Sequence, residues 1–417
     1  MDKAIAMNRP ATRESGPSSV LRRLRLYAGI AVNSLGWAGK RHPSGPLEVQ
    51  IGIADPCNHR CVMCCYHPPE ERKNDFTIAS FGDSKQGLMD LQTFKDTIDD
   101  LYAMGTRNIE LAGRGEPLLN KHATEMIAYA KSRGFTILLT TNASRLSAGV
   151  AEALVEAGLD RMHVSINAGE AETYPRIHVT ENPENYLKVL ANLRRLADIK
   201  SVYGTGKPYV GLSFAIGGRN YHELVRMVER AHETGSEEAF FQHTALHPDT
   251  PDLALSDSEY HQLIDDLVPQ ALQRAEALGV HTTLRSFASA LPPYRLDEEE
   301  PEPVPCYVGS YYGVILGNGH VMACCQCSSS LGQLGENTRF RDIWQGQAYR
   351  NFRDAARRLP EASDEPTLKT CDCGHCILRQ RNLSVHNALH PLSGVAVENS
   401  GEHIFRLRDL WAMQKSR

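Results

Sequence analysis

The chain has 417 residues, 41% hydrophobic and 23% charged, a balance that places it among folded globular proteins and excludes a disordered chain. With 45 basic and 50 acidic side chains its formal net charge is −5, so no overall basic field draws it to nucleic acid or anionic lipid. The 11 cysteines gather at 57–65, 306–327 and 371–376. Tight groups in a long chain argue against a disulfide scaffold and for metal, and hence for a reducing, cytoplasmic compartment.

Residues 1–46 read as an N-terminal extension: a polar stretch, then LRRLRLYAGIAVNSLGWAG, a basic amphipathic helix. Its apolar part falls short of the about 20 residues needed to span a bilayer. The helix packs on the following domain or makes a peripheral membrane contact through residues 20–39. From 47 to 288, strand and helix patterns alternate. Strands are expected at 47–53, 107–113, 135–142, 161–167, 209–216 and 238–243, with helices at 91–104, 121–133, 147–157, 183–198, 220–234 and 256–278. Six such units in succession predict parallel strands joined by right-handed crossovers. The fold class is α/β, a partial (β/α)6-type barrel, with function at the loops leaving the strands' C-terminal ends. An acidic, proline-rich linker (289–305), a small cysteine-rich domain (306–380) and a tail (381–417) follow, the tail helical around 404–414.

The first strand runs into ADPCNHRCVMCCYHPP, where Cys57, Cys61 and Cys64 have the spacing C-x3-C-x2-C. One short loop can bring three thiolates to a single cubane cluster, leaving one of four irons open to a substrate or cofactor. Structural zinc on these cysteines plus His59, His67 or Cys65, and a redox C-x2-C at Cys61 and Cys64, are the competing readings. Past the second strand, AGRGEPLLN holds Gly113 and Gly115, which permit a tight turn, and Glu116, a carboxylate at the strand's end.

A C-x3-C-x2-C loop after the first strand of an α/β barrel resembles the radical S-adenosylmethionine (radical SAM) superfamily. The resemblance implies that Cys57, Cys61 and Cys64 ligate a [4Fe–4S] cluster whose open iron chelates exchangeable SAM. Met63 and Tyr66 stand near the superfamily's adenine-packing position. AGRGE resembles its GGE-type element, with Arg114 in place of the second glycine, and implies that Glu116 binds the methionyl amine. The fourth strand ends in HVSIN, where Ser165 and Asn167 share a face at period two and occupy the ribose-contact position. Asn142, closing the third strand, is a similar candidate. In ETYPRIH (172–178), Arg176 is a partner for the SAM carboxylate. Gln242 and His243 end the sixth strand as substrate-facing candidates or ordinary core residues.

Cys306 and Cys324 flank CYVGSYYGVILGNGHVMAC, with spacing C-x12-G-x4-C. Apolar VIL, the turn GNG and apolar VMA predict a β-hairpin, and Cys373-x2-Cys376 follows a helix expected at 341–358. Four thiolates close a cube completely. The pattern resembles the auxiliary-cluster domain called twitch, or the first half of SPASM, and implies one auxiliary [4Fe–4S] cluster on Cys306, Cys324, Cys373 and Cys376. Zinc on four cysteines is the alternative. Cys325, Cys327 and Cys371 have no clear family position. Cys325 and Cys327 are the candidate catalytic residues, as hydrogen-atom donors.

The resemblance implies an oxidoreductase- or epimerase-type radical SAM enzyme: SAM is reductively cleaved to a 5′-deoxyadenosyl radical that abstracts hydrogen. The substrate reading is a small polar metabolite, carbohydrate or aminocyclitol-like, that is dehydrogenated or epimerised. A peptide or protein maturase and a non-catalytic Fe–S or zinc scaffold are the alternatives. A reducing partner such as flavodoxin or ferredoxin supplies the electron.

Overall fold

The computed structural model describes residues 45–69, 87–289 apart from 245 and 247–249, and 303–389 apart from 372, 374, 375 and 377. The helix expected at 20–39, most of the linker and the helical pattern at 404–414 lie outside these residues.

Seven strands succeed one another in parallel pairs: β1 (Glu48–Ile51), β2 (Asn108–Leu111), β3 (Thr136–Thr141), β4 (Arg161–Ser165), β5 (Tyr209–Ile216), β6 (Glu238–His243) and the short β7 (His281–Thr282). The first six match the expected strands, and β7 extends the series. Helices cross between them at Leu91–Ala103, Ala123–Ser132, Ala148–Glu156, Pro183–Val202 and Leu224–Glu233. Their starts are set locally. Asp90 accepts hydrogen bonds from the Gln92 and Thr93 amides, Ser147 from Val150, and Asn182 from Asn185, with Pro183 at the first helical position. The helix expected at 256–278 is broken. A capping box on Ser256 and Glu259 starts Asp257–His261, a π-type stretch occupies Gln262–Leu267, and an α-helix resumes at Val268–Leu278. Pro269 lacks an N–H, so the hydrogen-bond ladder loosens just upstream of it.

The strand sequences say which face is which. Val49, Ile51, Ile109, Leu111, Ile137, Leu139, Met162 and Val164 are buried against Phe94, Ile98, Leu101, Met126 and Ile127 of the helical layer. Alternate positions are polar: Gln50, Glu110, Thr140, Arg161, His163 and Ser165. A parallel sheet covered on both faces reads as continuously apolar; the alternation here marks an inner face lining the barrel. There Thr140 Oγ1 donates to Glu110 (3.2 Å) and Arg161 Nη2 to Glu238 (2.8 Å).

The C-terminal unit does not stand apart from the barrel. β8 (Tyr312–Ile315) lies parallel beside β1, with Glu48 opposite Tyr312 and Ile51 opposite Ile315. β9 (His320–Met322) and β10 (Ser330–Gln333) continue antiparallel, giving one ten-stranded sheet in the order β10-β9-β8-β1-β2-β3-β4-β5-β6-β7. The expected hairpin is β8–β9, turned at Gly319 with φ +83°. The helix expected at 341–358 is two, Phe340–Trp344 and Gln347–Arg357, separated at Gly346. Helix Arg379–Leu389 is tied to the barrel through Arg381, whose guanidinium donates to Glu48 on β1 (3.1 Å), both side chains buried.

Candidate active site

The loop carrying Cys57, Cys61 and Cys64 leaves β1 and is held from several sides. The Glu116 amide donates to the Pro56 carbonyl (3.0 Å), Val62 N–H to Ile177 and Val179 N–H to Arg60 (both 2.9 Å). His67 Nε2 donates to the Asp55 carbonyl (2.8 Å). Backbone N–H groups point at the sulfurs: His59 at Cys57 Sγ (3.4 Å) and His67 at Cys64 Sγ (3.2 Å). Such donors stabilise thiolate. Each thiol feels the others. Burial pushes Cys57 up to about 11, with Glu116 and Cys64 adding to it, and lifts Cys61 further, with Cys64 and Cys57 adding to it.

Two histidines stand beside Cys61: His59, a candidate zinc ligand in the sequence reading, and His178, to which that reading gave no role. His178 Nε2 donates to the Ile166 carbonyl (2.9 Å), so the neutral ring presents Nδ1 as an acceptor to the Cys61 thiol at 3.0 Å. Burial lowers His178 to about 4 and His59 to about 3, which keeps both neutral at physiological pH. His59 is 1% exposed, with Nε2 at 3.4 Å from Glu181. Among the described residues, the ligand atoms gathered within 4.8 Å of one another are those of His59, Cys61 and His178. The three loop thiols are not drawn into that radius together. Zinc holds thiolates at about 2.3 Å and needs closer sulfurs; a cluster places each thiolate on a separate iron. Cys57, Cys61 and Cys64 offer the soft thiolate donors that an iron–sulfur cluster takes.

The two glycines of AGRGE act by size rather than by conformational freedom. Neither has positive φ. A Cβ on Gly115 would lie 2.1 Å from the Pro56 carbonyl oxygen, and one on Gly113 2.9 Å from Gly52 Cα. Glu116 is 2% exposed, and its carboxylate accepts from Leu118 N (3.0 Å), Thr141 Oγ1 (2.5 Å) and Asn142 N (2.7 Å). Burial raises its pKa against the pull of these donors. Asn142 in turn donates through Nδ2 to Asn58 (3.0 Å), between Cys57 and Cys61. Asn120, closing the same motif, donates to the Ile53 and Met89 carbonyls.

The reading of HVSIN needs correction. β4 ends at Ser165, and Asn167 sits at φ +52° with its Oδ1 accepting from Ala215 N (2.8 Å). A left-handed residue breaks the period of two, so Ser165 and Asn167 do not share a face as successive strand positions would. Arg176 is exposed, and its carbonyl accepts from Arg219. Met63 packs beside Val62, Ile177, Leu246 and Leu253. His243 is half-buried and stacks on Phe287 (4.1 Å between ring centroids), and Gln242 is exposed.

The auxiliary thiols also converge. Cys306 interacts electrostatically with Cys376 and Cys373, and Cys324 with Cys325, Cys306 and Cys376; burial pushes both thiols up. Asn382 Nδ2 donates to Cys306 Sγ (3.5 Å). Cys327 and Cys371 are joined in a disulfide. That corrects two expectations: the cysteines do include a cross-link, and Cys327 holds no S–H to donate, whereas Cys325 keeps its thiol. A small pocket at the junction is lined by Tyr66, Gly113 and Arg114 from the barrel and Cys324, Cys325 and Cys327 from the auxiliary unit. Tyr66 OH donates to the Cys325 carbonyl (3.0 Å), and Asp55 accepts from the Gly317 and Asn318 amides (3.0 and 3.1 Å). Removing the phenol in Tyr66→Phe should cost about 0.5–1.5 kcal/mol and leave the iron content unchanged, as thermal melts and iron assay would show.

Residues 53–231 match the model of the radical SAM superfamily, and residues 306–376 match SPASM, an iron–sulfur cluster-binding domain. The chain carries a radical SAM domain followed by a SPASM domain. It is 24% identical over 343 residues to the tungsten-containing aldehyde ferredoxin oxidoreductase cofactor-modifying protein of Pyrococcus furiosus, covering 77% of this chain and 88% of that one. It is 30% identical over 198 residues to a probable GTP 3′,8-cyclase of Methanothermobacter thermautotrophicus; that match covers 47% of this chain and 57% of the cyclase's length. Among solved structures, SuiB of Streptococcus suis bound to precursor peptide SuiA superposes with TM-score 0.54 at 14% identity, covering 90% of this chain and 81% of SuiB. Native anSMEcpe with bound AdoMet gives TM-score 0.54 at 13% identity, covering 89% and 100%. At these identities the likeness is one of fold. The radical SAM domain takes a [4Fe–4S] cluster and SAM, and the SPASM domain takes auxiliary iron–sulfur. Among the described residues, no helix is long and apolar enough to cross a membrane.

Proposed function

We propose that Cys57, Cys61 and Cys64 hold the SAM-binding cluster, that Cys306, Cys324, Cys373 and Cys376 hold the auxiliary one, and that the enzyme dehydrogenates or epimerises a small polar metabolite. When bound, the cluster and SAM supply a 5′-deoxyadenosyl radical able to abstract hydrogen from carbon. The chain's own residues do the rest. Glu116 and the Asn142–Asn58 pair fix the loop, the polar inner face of β1 to β4 offers hydrogen bonds to hydroxyl or amino groups, and Tyr66 closes the auxiliary unit onto the barrel. In an epimerisation, the Cys325 thiol at the junction is the hydrogen-atom donor. Electrons come from a protein reductant such as flavodoxin or ferredoxin.

The observation that supports the substrate class is the polar inner face of the barrel, where Gln50, Glu110, Thr140, Arg161, His163 and Ser165 stand at alternate strand positions. Hydroxyl and amino groups of a small polar metabolite would find hydrogen-bond donors and acceptors on that face. The test is anaerobic incubation of the reconstituted, reduced enzyme with SAM and either the dialysable metabolite fraction or the peptide fraction of a cell extract. 5′-Deoxyadenosine release stimulated by metabolites, with a product lacking two hydrogens or carrying solvent deuterium, is expected. Stimulation by peptides alone would replace this reading with a peptide maturase. No SAM cleavage at full iron content would leave a non-catalytic scaffold.

A further inference from the structure

Three sulfurs lie in a row beside the auxiliary site. Cys324, Cys325, Gln326 and Cys327 form a C-x2-C turn in which Cys327 N–H donates to the Cys324 carbonyl (3.4 Å) and Gln326 N–H to Cys324 Sγ (3.4 Å). Cys327 is cross-linked to Cys371, and its sulfur also lies 3.5 Å from Cys324 Sγ. The cross-link is set in a short antiparallel contact, with Ser328 N–H donating to the Thr370 carbonyl (3.0 Å) and Ser329 N–H to Thr370 Oγ1 (3.1 Å). It therefore straps the segment bearing Cys324 to the segment bearing Cys373.

We infer that Cys324, Cys327 and Cys371 form a thiol–disulfide exchange unit that decides whether Cys324 is available to the auxiliary cluster. This rests on Cys324 being one of that cluster's ligands. The step is redox-neutral. Cys324 Sγ gives its proton to solvent and attacks Cys327 Sγ, the Cys324–Cys327 bond forms, the Cys327–Cys371 bond breaks, and Cys371 leaves as a thiolate that takes up a proton. An external two-electron oxidant, a low-molecular-weight disulfide, is needed only to make the first cross-link from two thiols. In one state the strap is closed and Cys324 can bind iron. In the other Cys324 is consumed, Cys371 is a thiol, and the segment carrying Cys373 is released. A dithiol reductant opens both cross-links and returns Cys324.

The test uses the full-length holoprotein under anaerobic exposure to oxidised glutathione, with disulfide mapping by mass spectrometry after alkylation and iron assay in parallel. Cys371→Ser leaves Cys327 no partner but Cys324. The Cys324–Cys327 peptide should appear, and iron should fall from about eight to about four atoms per chain as one of two [4Fe–4S] clusters is lost. Cys327→Ser removes the relay and should keep iron near its starting value under the same treatment. Iron retained at the barrel loop reports that each variant is folded. The wild-type chain repeats the test without a substitution: the Cys324–Cys327 fraction and the iron lost should rise together while the Cys327–Cys371 fraction falls by the same amount. Absence of the Cys324–Cys327 peptide from Cys371→Ser overturns the exchange. The peptide formed at unchanged iron overturns the gating and removes Cys324 from the ligand set, and equal iron loss in both variants overturns the role of Cys327.

Discussion

Gly115→Ala is expected to empty the barrel-loop cluster while sparing the auxiliary one, halving iron from about eight to about four atoms per chain and abolishing 5′-deoxyadenosine formation. The added methyl would stand 2.1 Å from the Pro56 carbonyl oxygen, 2.3 Å from that of Asp55 and 2.5 Å from the Asp55 carbonyl carbon. All three are backbone atoms, so no rotamer change relieves the overlap; either the AGRGE turn or the cysteine loop must move. Pro56 precedes Cys57, and its carbonyl already accepts the Glu116 amide at 3.0 Å. Displacing it shifts the first cluster ligand and breaks that bond together. Asp55 also anchors the Gly317 and Asn318 amides, so part of the strain is passed to the hairpin turn. Cys306, Cys373 and Cys376 lie on other segments, which is why the second cluster should persist. Iron assay and electron paramagnetic resonance of the reduced protein check this. Near-normal iron with near-normal SAM cleavage would mean that the turn has slack the backbone geometry does not reveal.

What the sequence made legible was local. VQI, NIEL and HVS carry β-branched and apolar residues at strand spacing, and each lies in the strand it predicted. The C-x3-C-x2-C loop and the C-x12-G-x4-C hairpin were readable because their chemistry depends on spacing within a few residues. Contacts across long separations were not readable. Nothing in YGVI announces that it pairs with EVQI, more than 250 residues earlier, in parallel register. Long separations also hide the Tyr66–Cys325 hydrogen bond, 259 residues apart, and the approach of His178 to Cys61, 117 residues apart. The backbone at Asn167 was hidden for a different reason. The residue type is compatible with a ribose contact, but the left-handed backbone that asparagine tolerates turns it out of the strand's alternation. The glycines of AGRGE had the right identity and the wrong cause, since a close approach of two backbones looks in sequence like a turn. For Cys327 and Cys371, a cysteine count alone does not separate ligands from a cross-link.

Glu116→Ala should destabilise the chain before any cofactor is added. The resemblance assigns this carboxylate to the SAM amine; the structure also makes it the acceptor for three interior donors, from Leu118, Thr141 and Asn142. The Thr141 hydroxyl can rotate towards another acceptor, but the two backbone N–H groups cannot. Leaving a buried donor unsatisfied costs about 1–3 kcal/mol, so the pair sets a loss of about 2–6 kcal/mol. For a domain of this size such a loss lowers the melting temperature on the order of 10 °C. The cluster loop should suffer as well, because Asn142 is held by Glu116 and itself holds Asn58 between two of the ligating cysteines. Glu116→Gln is the sharper probe. It keeps one acceptor oxygen for Thr141 and Leu118 but turns an NH2 group towards the Asn142 amide, so donor meets donor and stability should fall between wild type and alanine. Melting curves of the iron-free chain separate the two roles. A ligand-binding residue alone would leave those curves unmoved and weaken only SAM binding, whereas a latch between β2 and β3 lowers them in the order wild type, glutamine, alanine.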